Sequence, residues 1–175
     1  MARASVKYGG FLATLRRGKN YTAREIENKV IKPSLLLALK EFYKARYMRR
    51  FGPENSSYTT KRNKKYEAGK FRNYGHKLRM VYTGETSSDS LLRQMRQTVT
   101  FRVSKPRAAG VIRGRMTFPG ARKINRFKET VRKRLHLELR IMLQRDLDFI
   151  EKSFLRNTRI FVRDLKHGKP LRKVL

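Results

Sequence analysis

Phe127-Lys-Glu-Thr-Val131-Arg-Lys-Arg-Leu135-His-Leu-Glu-Leu139-Arg-Ile-Met142-Leu143-Gln-Arg-Asp-Leu147-Asp-Phe-Ile150-Glu-Lys-Ser-Phe154 places an apolar residue at nearly every third or fourth position. Neither glycine nor proline occurs between Gly120 and Gly168. That spacing lays one apolar stripe along a helix, so a long amphipathic helix is predicted over about 122–155. Inside it, Leu135-His-Leu-Glu-Leu-Arg-Ile141 alternates with the period of a strand. Helix is the better reading there, because segment length and strong helix formers on both flanks outweigh so short an alternation. A second helix is predicted upstream. Thr22-Ala-Arg-Glu25 is a capping-box pattern, and Ile26, Val30, Leu37, Leu39, Phe42 and Tyr43 follow at roughly helical spacing. This helix spans about 22–50 and kinks or restarts at Pro33, whose ring removes a backbone donor and crowds the preceding turn. Gly52-Pro53 ends it, with glycine available for a left-handed cap.

Between the helices the pattern shortens. Leu78 to Tyr82, Thr98 to Val103 and Val111 to Phe118 have strand character, with Val99, Phe101 and Val103 alternating against Thr100 and Arg102. Gly84, Pro106 and Gly110 fall in the turns. Thr158 to Asp164, where Ile160 and Val162 alternate with charged neighbours, reads as a closing strand. The expected class is α+β: two long helices packed on a small antiparallel β-sheet, with basic extended termini. Residues 1–20 form a basic arm and 21–165 a single domain containing a long basic loop at 53–76. Residues 166–175 are a basic tail.

The 175 residues include 45 Lys plus Arg against 13 Asp plus Glu, a formal net charge of +32. So large a surplus repels itself, and a polyanion or an acidic partner relieves it; nucleic acid is the commonest. Ten Phe, eight Tyr and many Leu are too much apolar material for a disordered basic tail. No cysteine occurs, which removes disulfides, thiolate nucleophiles and cysteine-ligated zinc. The longest apolar run, Leu35 to Leu39, is far below a membrane span, and Met1 to Tyr8 supplies no signal-peptide core, so neither a membrane nor an exported protein is expected.

The charge is unevenly placed. Ser90 to Lys128 holds no acid, yet contains Arg93, Arg96, Arg102, Arg113, Arg115, Arg122, Lys123 and Arg126. Acids return at Glu129, Glu138, Asp146, Asp148 and Glu151, which implies two electrostatic faces. In the 53–76 stretch, Tyr58, Tyr66, Phe71 and Tyr74 are interleaved with Lys61, Arg62, Lys64, Lys65, Lys70 and Arg72. These rings either stack on bases or anchor the loop to the core. The residues expected to meet phosphates or an acidic partner are Lys61, Arg62, Lys64, Lys65, Arg72, Arg93, Arg96, Arg113, Arg115, Arg122, Lys123 and Arg126. No base-reading helix is recognisable, so contact through the backbone is expected rather than sequence readout. His76, His136 and His167 are scattered, and no His-Glu-x-x-His, phosphate loop or nucleophile elbow occurs. No enzyme, catalytic residue, cofactor or metal is expected.

Taken in order, the N-terminal helix, the basic stretch from Tyr58-Thr-Thr-Lys61, Met80-Val81-Tyr82-Thr83-Gly84, Ser90-Leu91-Leu92, the strands, Pro119-Gly120 and the last helix form one arrangement. Over about 22–155 it resembles the small neck and tail-completion proteins of tailed bacteriophages, the virion-morphogenesis type. The resemblance implies a virion structural protein of the head-to-tail connection, assembled in the host cytoplasm as a homo-oligomeric ring. Its partners would be portal or adaptor and tail subunits, with DNA held through non-specific phosphate contacts. A ring repeats one basic patch around its channel, so modest attraction per chain becomes strong in sum. The alternative reading is a ribosomal-type RNA-binding structural protein, for which small size, high positive charge and absent cysteine are ordinary.

Overall fold

Residues 2–7, 21–79, 100–103, 111–117 and 127–167 are described by the computed structural model. Among them the fold is α+β, with four helices and a small antiparallel sheet. The strands are β1 (Ala2–Lys7), β2 (Thr100–Val103) and β3 (Val111–Thr117), with β3 in the centre. The expected strand Leu78 to Tyr82 lies mostly outside the described residues, and Leu78 and Arg79 are not in a strand.

The first helix, α1, starts where its capping box predicts. Thr22 Oγ1 accepts from the Glu25 amide at 3.2 Å, and Glu25 Oε2 accepts from the Thr22 amide at 3.0 Å. Those bonds from Thr22, the backbone one foremost, hold the Glu25 carboxyl below its usual range. After Ala23–Ile26 the helix widens into a π-helical turn at Glu27–Ile31 and resumes as α-helix over Lys32–Ala45. This is the form the restart at Pro33 takes: proline brings no N–H to the ladder and crowds the carbonyl four residues back, and a wider turn before it accommodates both. The α-helix stops at Ala45, and Tyr47–Phe51 continues as a 3₁₀ turn. Gly52 caps that turn in an extended conformation at φ −116°, so the expected left-handed cap is not used.

Three expectations are corrected. The 53–76 stretch is not all loop, since α2 occupies Lys64–Tyr74, capped by the Asn63 side chain accepting from the Lys65 amide at 2.8 Å and closed by left-handed Gly75 at φ 70°. Its apolar content is too low to show as a stripe; its one buried residue is Lys70. The helix expected at 122–155 is two: α3 covers Glu129–Arg140 and α4 Gln144–Lys166, separated by Ile141 at ψ 127°. Helix wins over the alternating 135–140 as expected, and Leu137, off the stripe, is exposed while Leu139 is buried. The closing strand at 158–164 belongs instead to α4, where Phe154, Asn157, Thr158, Phe161 and Asp164 are buried at helical spacing.

Composition does not divide residues 21–165, but contacts do. They form a sheet unit, built from Arg3–Tyr43, Phe101–Met116 and Gln144–Leu175, and a helical unit, built from Lys44–Thr100 and Thr117–Leu143 with Met1–Ala2. In the sheet unit α1 lies against the sheet. Tyr43 meets Phe101 of β2 edge-on with ring centroids 5.9 Å apart, and Phe42 meets Phe149 of α4 at 6.4 Å. Gly114 sets how near α1 comes, because a Cβ there would stand 2.5 Å from Leu39 Cδ1 and 3.4 Å from Leu35 Cδ2.

The helical unit buries three cations, Arg50, Arg62 and Lys70, of which Arg50 lies deepest. The Arg50 guanidinium lies over the Tyr47 ring at 3.6 Å and faces the Tyr58 ring at 4.8 Å. Its Nη1 donates to the carbonyls of Glu138 and Leu139 at 3.1 and 3.2 Å, and its Nη2 donates to that of Ile141 at 3.2 Å. Tyr47 Oη also donates to the Leu139 carbonyl, at 3.0 Å. These are the carbonyls that a helix end leaves without partners, and a cation is favoured where they gather. Arg50 therefore explains why α3 ends at Arg140. Nothing local in the sequence stops the helix there.

Candidate nucleic-acid interface

β3 alternates without exception where its side chains are described: Ile112, Gly114 and Met116 are buried, while Arg113 and Arg115 are exposed. A strand sends successive side chains to opposite faces, so the two arginines share the face turned away from α1. Its neighbours follow the same rule. On β1, Ala4 is buried and Arg3 exposed; on β2, Phe101 turns to Tyr43, which leaves Thr100 and Arg102 on the outer side, both exposed. Four arginines from three adjacent strands thus occupy one open sheet face. None of the three strands contains an acid.

The acids of the sheet unit, Glu25, Glu27, Glu41, Asp146, Asp148, Glu151 and Asp164, all lie on α1 and α4, mixed there with Lys and Arg. One of them meets Arg156, whose Nη2 donates to Glu41 Oε2 at 2.7 Å. Arginines two apart on a strand are separated by about 7 Å, and in water two such charges repel by about 0.6 kcal/mol. The face is thus tolerable in the free protein and gains from each phosphate it meets. The planar guanidinium fork suits phosphate oxygens.

The residues expected from sequence to make contact divide into three groups. Arg113 and Arg115 are on the sheet face. Lys61, Lys64, Lys65 and Arg72 are exposed on α2 and the segment leading into it, in the helical unit. Arg93, Arg96, Arg122, Lys123 and Arg126 lie outside the described residues.

Arg62 is the exception and is corrected: it is buried and bound within the protein. Its Nη1 and Nη2 donate to Glu138 Oε1 and Oε2 at 2.6 and 2.8 Å, a bidentate pair. Thr60 adds its amide and hydroxyl to Glu138 Oε1 at 3.0 and 2.7 Å. Burial pushes the Glu138 carboxyl up, and the bonds from Arg62 and Thr60 outweigh it, holding it below the usual carboxylate range. A cation so engaged braces Thr60 against α3 and has no fork left for a phosphate.

Sequence reasoning missed Arg3 and Arg102 as members of the face. For Arg102 the signal was present, since it alternates with Phe101. For Arg3 no local signal exists, because its place depends on β1 pairing with a strand more than a hundred residues away. The aromatics interleaved with the 53–76 cations also separate. Tyr58 is buried beneath Arg50, whereas Tyr66, Phe71 and Tyr74 are exposed. Among the described residues no group of three His, Cys, Asp or Glu is placed to hold a metal ion, and no helix is long and apolar enough to cross a membrane. Comparison with protein-family models, with curated proteins and with solved structures finds no match for this chain.

Proposed function

We propose that the protein is a structural subunit of a nucleic-acid-bearing particle, of the kind that forms the head-to-tail connection of a tailed bacteriophage, and that it meets DNA through backbone phosphates. The observation that carries the reading is the open sheet face bearing Arg3, Arg102, Arg113 and Arg115 with no acid on its strands. Cations fixed on a sheet, with Thr100 and Thr117 as described polar neighbours on that face, grip a backbone without reading bases, so DNA held by them is free to slide. In a ring the face is repeated around a channel, and the summed attraction rises steeply with the number of copies. The resemblance of the Met80 to Gly84 segment and the order of helix, strands and helix add to the reading.

The purified chain, imaged in negative stain without nucleic acid, is expected to form closed symmetric rings that retain duplex DNA at low salt. A monomer that stays soluble only with structured RNA contradicts the connector and leaves the ribosomal-type alternative.

A further inference from the structure

Three aromatic side chains on α2 remain exposed, although two of them, Tyr66 and Tyr74, lie one turn to either side of the buried Lys70. Phe71 is 55% exposed, Tyr66 48% and Tyr74 41%, on a helix of 11 residues. Phe71 and Tyr74, three apart, are neighbours on the helix surface, and Lys64, seven before Phe71, shares its side. The surroundings are cationic. Lys77 Nζ stands 5.5 Å from the Phe71 ring centroid, and Arg72 is exposed beside it in sequence. Glu67, the one acid of α2, is engaged by Arg79 Nε at 3.1 Å. The surface is also firmly mounted: Lys70 Nζ donates to the Leu78 carbonyl, and Arg79 Nη1 donates to the Thr59 carbonyl at 3.2 Å, which fixes the chain after Gly75 against the helix.

The Tyr74 ring meets that of His76, with centroids 6.4 Å apart, and rings as exposed as these still present surface to a ligand. The centres of protein–protein interfaces are poor in lysine, and here Lys64 and Lys77 flank the rings, so an apolar protein partner fits badly. Flat faces ringed by cations match a base flanked by phosphates. Paired bases hide their faces within the duplex, so the match is to unpaired ones.

We infer that α2 is a stacking platform for single-stranded nucleic acid, with unpaired bases lying on Phe71 and Tyr74 while Lys64, Arg72 and Lys77 meet the adjoining phosphates. This goes beyond the phosphate grip of the sheet face: it lies in the other unit and discriminates unpaired from paired strands.

The test titrates the full chain with fluorescent oligothymidylate of about twenty nucleotides, longer than a usual single-strand site, and with a duplex of the same length. Phe71→Leu with Tyr74→Leu keeps apolar bulk and removes both π faces. Loss of each ring is expected to weaken oligothymidylate binding about tenfold and to leave duplex binding unchanged. Phe71→Tyr, which keeps a stacking face, restores the single-strand affinity. Unchanged oligothymidylate binding in the double variant overturns the assignment, and so does an equal loss on both ligands. Failure of duplex binding with ring-dependent oligothymidylate binding intact removes the sheet-face reading and leaves the platform standing.

Discussion

In the helical unit Arg50 and Arg62 are withdrawn from water and held by carbonyl and carboxylate oxygens, whereas in the sheet unit Arg3, Arg102, Arg113 and Arg115 stand in solvent on strands without an acid. The same side chain braces one unit and decorates the other. Net charge alone cannot tell these uses apart, since both count equally toward the surplus. What separates them is burial: an arginine withdrawn to an internal oxygen acceptor is part of the fold, and one exposed on an alternating strand above an apolar face presents its charge to the surroundings.

The strongest way to break that comparison is to remove one half of the buried pair. Arg62→Ala or Glu138→Ala leaves an uncompensated charge in the interior and is expected to lower stability by about 3–5 kcal/mol in chemical denaturation. Gln at each of the four sheet arginines, introduced one at a time, is expected to change stability by no more than about 0.5 kcal/mol. Equal effects in the two sets erase the distinction.

Acid sharpens it. Because the Glu138 carboxyl is held below its ordinary value of 4.5 in the folded chain, its contribution is present above that value and is lost as pH falls through the lower, folded one. Denaturation followed by pH is expected to show stability falling below about pH 4.5, and Glu138→Gln, less stable at neutral pH, is expected to lose that part of the dependence. A variant whose acid limb matches the parent's assigns the titration elsewhere.

A smaller effect concerns how the sheet face is presented. Gly114→Val drives a branched side chain into Leu39 and Leu35 and is expected to cost about 1–3 kcal/mol, with Leu39→Ala in the same chain returning part of it. A stability unchanged by Gly114→Val means that α1 does not press on the sheet there.

Much of this was readable in the sequence, for a common reason. The capping box at Thr22, the restart near Pro33, the strands at 100–103 and 111–117 and the helical identity of 135–140 are set by residues within a few positions of one another. What stayed hidden depends on distant partners. The end of α3 is set by Arg50, some ninety residues away, and Arg62 is claimed by Glu138 across a comparable distance. α2 was obscured differently: its exposed face and its buried Lys70 give no apolar period, and only Asn63 and Gly75 mark its limits. In the candidate site, Arg113 and Arg115 were legible as strand alternation, whereas the face they share with Arg3 is a product of strand order.

The salt dependence of duplex DNA binding tests the central claim most directly. With four sheet arginines on phosphates, replacing Arg3, Arg102, Arg113 and Arg115 by Gln is expected to reduce the slope of log affinity against log salt by about 3–4, with the fold intact by circular dichroism. A slope identical to the parent's places the DNA contact somewhere other than the sheet face.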